Sequence, residues 1–415
     1  MKKFLTIALA FILVVGLLAS CGTPANQGTQ QPAAPADPAP GGDAPVVDGD
    51  MPIVRIGLFQ PATGANGAGG RQEALGTWFA HYTQPTVVIG GVEHQVVIEP
   101  VDNQSSTAHG PAAAAELVAR GVHIVMGSYG SAVSMASSDV FNDAGLTAIG
   151  VSCTNPGVTL GNDHYFRICF LDPFQGQILA SLARNTLNAE HAFVLSLLGD
   201  DYSQGLSHFF IEAFTAYGGT VTQEDFPEGT SDFTAFMTNA SAVGADVLFA
   251  PTSTEAAALI INAAHVQDVG IPLLAGDTWD SNVVLGAAYG MDNIEIYVTT
   301  FYQEGGAPDF DNGFKAWLAA DPFRMEENGG NDAIAGVTAM GFDAYFVVLD
   351  ILERAGSITD QQAIRDAAWA TSFMGPVAGL VEFNDHGDAR RDTAFVKSIN
   401  TTTGEWEFYA QQGLG

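Results

Sequence analysis

The segment AFVLSLLGDDYSQGLSHFFIEAFTAYGGTVTQ, residues 192–223, contains the pattern that decides the fold. The apolar run Ala192–Leu197 predicts a short buried strand, Gln204–Tyr217 predicts a helix, and Thr220–Gln223 predicts the next strand. A strand, a helix of about 10–15 residues and another strand form a βαβ unit, which places the two strands parallel in one sheet.

The same alternation extends in both directions from this unit. Before it, the predicted strands are Val54–Phe59, Gln95–Val101, His123–Met126 and Leu146–Val151, and the predicted helices are Glu73–Tyr82, Pro111–Ala119, Ala132–Asp143 and Pro173–Leu187. After it come the helix Phe233–Ala242, the strand Val247–Ala250, the helix Thr254–Val266 and the strand Leu273–Ala275. Two such runs predict an α/β protein with two doubly wound parallel-sheet lobes.

Charge and length narrow the class of protein. The chain has 415 residues, 47% of them hydrophobic, so two or three domains with their own cores fit within it. It has 14 Lys and Arg residues against 46 Asp and Glu residues, a formal net charge of −32. Proteins that bind the phosphate backbone present a basic face, so no nucleic acid partner is expected. The composition is typical of an acidic, extracytoplasmic protein.

The N-terminus has the features of a secretory signal. Lys2 and Lys3 precede the uncharged apolar run Phe4–Leu18, which is shorter than the span of about 20 residues that a membrane helix needs. The next residues, Ala19-Ser20-Cys21, complete a sequence that resembles the bacterial lipoprotein box. This resemblance implies that residues 1–21 are a lipoprotein signal peptide and lipobox, with Cys21 as the lipidation site. An ordinary signal peptide with an incidental cysteine is the alternative.

Residues 22–51 are predicted to form a disordered linker. They are rich in Pro, Ala, Gly, Gln and Asp and almost lack large apolar residues, so they cannot bury enough surface to order themselves. The folded part therefore begins near Pro52. It contains Cys153 and Cys169, which could form one disulfide or remain as two buried free thiols.

The sequence lacks signatures of catalysis and metal binding. It contains no HExxH, GxSxG, GxxxxGK[ST] or CxxC motif, and its nine His residues do not have metal-ligand spacing. We therefore expect no enzyme, no cofactor and no metal. The Gly-rich turn Gly64–Gly70 follows the first strand as a dinucleotide-binding turn would, but Gln72 occupies the last Gly position of GxGxxG. A flexible lip on a cleft is the preferred interpretation of this turn.

Polar residues follow the strands at the edge where ligands of open parallel sheets bind. Ser131 begins a helix, where it can cap backbone amides or offer its hydroxyl and the free N–H groups to a carboxylate. Ser152 and Thr154 follow the next strand. In the second lobe Asp277 follows a strand, where it can hold an ammonium group or act as an exposed N-cap.

The order of these turns resembles that of the type I periplasmic binding proteins of amino-acid ABC importers, the Leu/Ile/Val-binding family. The resemblance covers about residues 53–410 and rests on the motifs Met126–Ser131, Val151–Pro156, Gly199–Gly205, Gly229–Phe233, Ala275–Trp279, Gly341–Tyr345 and Met374–Asp388. It implies a Venus-flytrap fold, in which three crossover strands join the two lobes.

The resemblance also implies boundaries for the lobes. The N-terminal lobe would consist of residues 52–172 plus 301–394, and the C-terminal lobe of residues 173–300 plus 395–415. The crossovers would lie near Leu171–Pro173, Val298–Phe301 and Phe395.

The same resemblance assigns roles to residues of the cleft. Ser131 and Thr154, with the backbone of Ser152, would hold the carboxylate of an amino acid. Asp277 would hold its ammonium group, and Tyr202 would complete the clamp.

The chain departs from the family's leucine binders at the first turn. Their aromatic wall is missing at Ala68–Gly70, which implies a larger or more polar pocket, lined by Phe59, Tyr129 and Trp279. If Arg71 pointed inward it would favour an acidic ligand tail, and an exposed helix-start position is the alternative.

We therefore expect an extracytoplasmic solute-binding lipoprotein of an ABC importer. It would capture a small amino acid, branched-chain or related, and deliver it to the permease subunits. It would reside at the cell surface or in the periplasm and contact the membrane through its lipid anchor only. A same-fold binder of short amides, urea or aromatic carboxylates and a ligand-sensing module are alternatives. A secreted α/β enzyme is another, which the missing catalytic signatures disfavour.

Overall fold

The first part of the chain forms a six-stranded sheet in the structure, a computed structural model that describes residues 51–413. Its elements are β1 (Ile53–Gln60), α1 (Gly67–Thr83), β2 (Thr86–Ile89), β3 (Val92–Asp102), α2 (Gly110–Ala119), β4 (Ile124–Met126), α3 (Ser131–Asp143), β5 (Ala148–Gly150) and β6 (Tyr165–Arg167). The strands lie in the order β2-β3-β1-β4-β5-β6, and every neighbouring pair is parallel except β2 and β3.

The next part of the chain repeats this pattern in a second sheet. Its elements are α4 (Asp172–Ser181), β7 (His191–Leu197), α5 (Asp201–Ala216), β8 (Thr220–Phe226), α6 (Thr234–Ala242), β9 (Val247–Phe249), α7 (Thr254–Val266), β10 (Leu273–Ala275), α8 (Asn282–Ala288) and β11 (Ile296–Thr300). All five strands are parallel. The predicted α/β fold with two doubly wound sheets is therefore confirmed.

The last part of the chain contributes to both lobes. Its elements are α9 (Pro308–Ala319), α10 (Pro322–Glu327), α11 (Gly336–Ala355), α12 (Gln361–Trp369), β12 (Ser372–Gly375), β13 (Gly379–Glu382), β14 (Thr393–Asn400) and β15 (Glu405–Gly413). Strands β12 and β13 form a hairpin, whereas β14 and β15 extend the second sheet with antiparallel pairs. The second sheet therefore has the order β15-β14-β11-β10-β9-β7-β8.

Helix α11 packs against α1, because glycines let the two backbones approach closely. A Cβ atom at Gly76 would collide with the carbonyl oxygen of Thr338, and one at Gly341 would collide with that of Glu73. Helix α11 thus belongs with the first sheet. Strand β11, which precedes it in the chain, and strand β14, which follows later, pair with each other in the second sheet. The exact lobe boundaries inferred from the family resemblance stay a prediction.

A buried ion pair links β14 to the segment that follows β10. Lys397 Nζ on β14 lies 3.1 Å from Asp280 Oδ2, and both side chains are almost fully buried. The same carboxylate accepts hydrogen bonds from the hydroxyl of Thr300 and, at 2.7 Å, from the N–H of Gly336. Removing one partner of such a pair would leave a buried charge uncompensated, which typically costs about 3–5 kcal/mol.

The Gly-rich turn differs from the expected lip. Helix α1 begins at Gly67, so Gly67–Gly70 are helical. A Cβ atom at Gly70 would collide with the carbonyl oxygen of Pro61. These glycines serve close packing at the start of a helix, and the interpretation as a flexible lip is wrong for them.

The sequence analysis also missed strand β2. It joins β3 through Gly90 and Gly91, which have φ angles of 59° and 81°. Two glycines with positive φ form the tight turn of a hairpin, so the Gly-Gly pair was an available signal. Cys21, residues 1–21 and nearly all of the predicted linker lie outside the described residues.

Candidate functional site

A cavity of about 230 Å³ lies at the carboxyl ends of strands from both sheets. Residues after β1, β3, β4 and β5 form its first-lobe wall, and residues after β7, β8, β9 and β10 form its second-lobe wall. The predicted site residues that line it are Tyr129, Ser131, Ser152, Tyr202 and Asp277. The sixth, Thr154, does not line the cavity: it is fully buried, and its hydroxyl has no hydrogen-bond partner within residues 51–413.

Ser131 stands in the first turn of α3, at the cavity wall. The N-cap position is Gly130, whose carbonyl oxygen accepts the N–H of Ser134 at 3.1 Å. The hydroxyl of Ser131 accepts the N–H of Asn155 at 3.2 Å, so it does not cap its own helix. The first N–H groups of a helix have no acceptor within the helix, and they favour an anion.

Ser152 faces away from the cavity through its hydroxyl, which donates to the carboxylate of Glu73 on α1. Gln60 donates to the other oxygen of that carboxylate. Glu73 is completely buried, and burial raises its pKa to about 8 despite these two hydrogen bonds. The Ser152 side chain is therefore engaged, which leaves its backbone for a ligand, as the family resemblance implies.

Asp277 provides the acidic group of the second-lobe wall. It is 2% exposed and begins a single 3₁₀ turn whose N-cap is Gly276, so the alternative of an exposed N-cap is wrong. Its Oδ1 atom accepts hydrogen bonds from Tyr202 Oη at 3.1 Å and from Gln175 Nε2 at 3.0 Å. Burial raises the pKa of Asp277 to about 7.

Gln175 on α4 is a site residue that the sequence analysis missed. Its Oε1 atom accepts the N–H of Asp277 at 2.8 Å, while its Nε2 atom donates to the carboxylate of the same residue. Its Oε1 atom also accepts the hydroxyl of Thr299 on β11. A Gln in the first turns of a helix carries no local signal for this role, because its partner Asp277 lies 102 residues away in sequence.

Tyr129 supplies an aromatic part of the cavity wall, as the sequence analysis predicted. A Cβ atom at Gly69 would collide with the Tyr129 ring, so this ring fills the space beside the start of α1. Its hydroxyl donates across the cleft to the carbonyl oxygen of Thr278 at 3.3 Å.

Two predicted wall residues are not part of the cavity. Phe59 is fully buried and packs edge-on against Phe141, with ring centroids 5.4 Å apart. Trp279 is also fully buried, and its Nε1–H donates to Thr252 Oγ1 at 3.1 Å. The prediction that these two rings line the pocket is wrong, because both side chains point into the cores.

Arg71 does not point into the cavity either. Its Nη1 atom donates to the carbonyl oxygen of Ala62 at 2.6 Å, and its Nε atom lies 3.3 Å from the carboxylate of Glu327. The hypothesis that Arg71 meets an acidic ligand tail is therefore wrong.

The two cysteines are free, buried thiols, and burial raises the pKa of Cys153 to about 12. Their side chains are buried in the cores, so neither of them reaches the cavity. No group of His, Cys, Asp and Glu residues within residues 51–413 has the geometry of a metal site.

The lobes touch on both sides of the cavity. Thr254 Oγ1 and the N–H of Glu255 donate to the carbonyl oxygen of Ala65 at 3.0 and 3.1 Å. On the other side, Asn155 Nδ2 donates to the carbonyl oxygen of Asp201 at 2.7 Å. The cleft is thus in a closed arrangement, with one wall from each lobe.

Known proteins with this arrangement bind small molecules. A family model described as "Periplasmic binding protein" matches residues 53–403. The Leu/Ile/Val-binding protein homolog 3 of Brucella melitensis is 26% identical over 339 residues, which cover 81% of this chain and 88% of the relative.

Solved structures agree with this family. LivK, a leucine-binding protein from Thermotoga maritima, is 30% identical, with a TM-score of 0.77 over 87% of this chain and 99% of that chain. A solute-binding protein from R. palustris in complex with benzoate has the same fold, with a TM-score of 0.74 at 16% identity over 87% of this chain and 96% of that chain. The chain therefore belongs to the type I periplasmic binding proteins, in the family of the Leu/Ile/Val-binding proteins.

Proposed function

We propose that this protein is an extracytoplasmic solute-binding lipoprotein of an ABC importer that binds a small α-amino acid, branched-chain or related. The observation that carries the proposal is Asp277, a carboxylate that is 2% exposed, lines the cavity and forms no ion pair within residues 51–413. A buried carboxylate without a cation is costly, and the ammonium group of a ligand would supply that cation.

The opposite wall suits the other end of an amino acid. Ser131 and the free N–H groups of α3 line the cavity and would hold a carboxylate. No Arg or Lys is needed for this contact, since hydrogen bonds to a charged group contribute about 1.5–3 kcal/mol each. The predicted contribution of the Thr154 hydroxyl would require a small rearrangement of the wall.

Binding and closure are coupled in this proposal. Ser131 follows a strand of the first sheet and Asp277 a strand of the second, so only a closed protein brings both to the same ligand. A ligand that binds the closed state better than the open state shifts the population towards closure. The permease subunits would then receive the closed, loaded protein.

The names of related proteins support an amino acid rather than another solute. The curated relative is a Leu/Ile/Val-binding protein homolog, and the solved relative with 30% identity is a leucine-binding protein. Aromatic carboxylates, which a fold relative binds, would need no ammonium acceptor and would leave Asp277 buried beside an apolar ring.

Calorimetry tests the proposal directly. The protein is denatured mildly and refolded to remove any co-purified ligand, which mass spectrometry identifies. It is then titrated with the proteinogenic amino acids and with their des-amino analogues. Amino acids should bind, and each active one should bind at least 30-fold more tightly than its des-amino analogue. Equal binding of both series, or binding of benzoate or urea alone, would refute the amino-acid assignment.

The lipid anchor needs its own test, because Cys21 lies outside the described residues. Within residues 51–413, no helix is both long and apolar enough to cross a membrane. We propose that lipid on Cys21 holds the protein at the extracytoplasmic face of the membrane. A Cys21→Ala variant should leave the membrane fraction while its ligand affinity is unchanged. Retention of the variant on membranes washed with high salt would contradict the anchor.

A further inference from the structure

The far end of the cavity is acidic. Asp200 and Glu228 line it together with Asp277, and none of the residues of the described chain that line it is Lys, Arg or His. The cavity that contains Ser131 and Asp277 therefore has two further carboxyl groups in its lining.

These two carboxyl groups have unused acceptor capacity. Asp200 is the N-cap of α5, and its Oδ1 atom accepts the N–H of Ser203 at 2.8 Å. The Glu228 side chain forms no hydrogen bond or ion pair within residues 51–413, and it is exposed at the rim. Burial raises the pKa of Asp200, and the nearby acids Asp201 and Glu228 raise it further.

Part of the cavity wall is apolar. Val133, Leu197 and Leu198 also line the cavity, and Leu198 is 59% exposed. A chain of methylene groups would pack on this part of the wall while its polar end reaches the acids, in the way that Lys side chains cover apolar surface.

The acidic end continues into a second cavity of about 290 Å³. The two cavities share Glu228 and Ser253, and the second one adds Glu255. No Lys, Arg or His from the described residues lines this second cavity either. The site is therefore long enough for an extended side chain and negative along its outer part.

We propose that the ligand is an α-amino acid with an extended side chain that ends in a cation, and that Asp200 and Glu228 recognise this cation. The inference rests on the proposed function, because it takes the backbone of the amino acid to lie between Ser131 and Asp277. It replaces an aliphatic branched side chain by a cationic one. The net charge of −32 attracts such a ligand from a distance as well.

The test compares ligands that differ in the terminal cation. L-lysine, L-ornithine and L-arginine are titrated by calorimetry against L-norleucine, which keeps the methylene chain but has no cation. At least one cationic amino acid should bind roughly tenfold more tightly than norleucine, since it gains one charge-assisted contact. Raising the salt concentration should reduce this preference, because the rim is exposed to solvent.

Substitutions of Asp200 and Glu228 then test whether these two residues cause the preference for a cationic ligand. Asp200→Asn keeps an N-cap acceptor for α5, so the helix should stay intact. It should reduce the ratio of cationic-ligand affinity to norleucine affinity about fivefold to tenfold, and Glu228→Gln should reduce this ratio about two- to fivefold. Glu212→Gln, at an exposed position of the same helix α5, removes one charge away from the cavity and should change neither affinity.

The results of these titrations distinguish a failure of this inference from a failure of the proposed function. If norleucine or leucine binds as tightly as all three cationic amino acids, the inference is wrong and the proposed function stands. The inference is also wrong if the cationic preference survives the Asp200→Asn and Glu228→Gln double variant. If no amino acid binds in either series, the proposed function and the inference fail together.

Discussion

The two walls of the cavity differ in the groups that they offer to the opposite charges of the proposed ligand. The first-lobe wall offers the Ser131 hydroxyl and backbone N–H groups at the start of α3, none of which carries a formal charge. The second-lobe wall offers the ionisable carboxyl group of Asp277, which Gln175 and Tyr202 hold by hydrogen bonds. In the first-lobe wall several weak hydrogen-bond donors would share the contact with the ligand carboxylate. In the second-lobe wall the contact with the ammonium group would depend on Asp277 and on the residues that hydrogen-bond to it. The two walls should therefore differ sharply in their tolerance of substitution.

The largest effect should come from Asp277→Asn. The amide keeps an oxygen for Tyr202 and Gln175 but cannot balance an ammonium ion, so the buried charge of the ligand loses its partner. Such losses typically cost about 2–5 kcal/mol, which weakens amino-acid binding roughly 30-fold or more. Calorimetric titration of the wild-type protein and the variant with the amino acid measures this loss of affinity.

A des-amino analogue provides the control for this substitution, because it should bind both proteins alike. If Asp277→Asn binds the amino acid as wild type does, the charge of the second-lobe wall lies elsewhere.

The next largest loss of affinity should come from removing the hydrogen bonds between Gln175 and Asp277. Gln175→Ala removes a donor to the carboxylate and the acceptor of the Asp277 N–H. We expect affinity to fall roughly 10- to 30-fold, because hydrogen bonds to charged groups contribute about 1.5–3 kcal/mol. The pH midpoint of binding should also rise, since an Asp277 carboxylate with one donor fewer ionises less readily.

Gln177→Ala, on the same helix but away from the cavity, is the matched control and should bind normally. An unchanged pH midpoint in Gln175→Ala would show that Gln175 acts only through packing.

The first-lobe wall should tolerate substitution better than the second-lobe wall. Ser131→Ala removes one hydroxyl, while the backbone N–H groups of α3 remain for the carboxylate. A hydrogen bond to a charged group contributes about 1.5–3 kcal/mol, but the remaining N–H groups should compensate for part of it. The loss should therefore be about tenfold or less, smaller than that of either second-lobe variant. Ser134→Ala, whose hydroxyl donates to the Gly130 carbonyl oxygen at 2.8 Å, is the control within the same helix. A larger loss for Ser131→Ala than for Asp277→Asn would reverse the comparison between the walls.

The last effect is on stability rather than on binding, and it concerns Glu73 behind the first-lobe wall. Burial raises its pKa from the ordinary 4.5 to about 8, so the folded state retains a proton that the unfolded state releases between these values. The resulting stability is fully present below pH 4.5 and is lost as pH rises through 8. One such group changes unfolding free energy by at most about 1.4 kcal/mol per pH unit.

Thermal melts of the ligand-free protein should therefore show a midpoint that falls from pH 5 to pH 8. Glu73→Gln keeps the contacts with Gln60 and Ser152 but cannot titrate, so its midpoint should fall less steeply. Glu212→Gln, at an exposed position, should keep the wild-type slope. Identical slopes for all three proteins would mean that Glu73 stays ionised when buried.

The sequence predicts the fold better than the details of the site. Apolar runs such as Val247–Ala250 and amphipathic helices such as Thr254–Val266 are local patterns, and the structure has elements at almost the same bounds. Ser131 and Asp277 follow strands, so their approach to one edge is a consequence of parallel sheets. The residues that they contact in space are far away in the sequence. For this reason neither the role of Gln175 nor the burial of Trp279 was predictable.

The contact between Gly69 and the Tyr129 ring also constrains how this pocket can change. A side chain at position 69, in the first turn of α1, and the ring at position 129, just before α3, would occupy the same volume and exclude each other. Substitutions at these two positions are therefore non-additive, and a bulky residue at 69 becomes compatible only after Tyr129 has become small. Because Tyr129 lies two residues before Ser131, the ring that limits the pocket and the hydroxyl proposed to bind the carboxylate lie on one short segment, which a graft from a relative would transfer together.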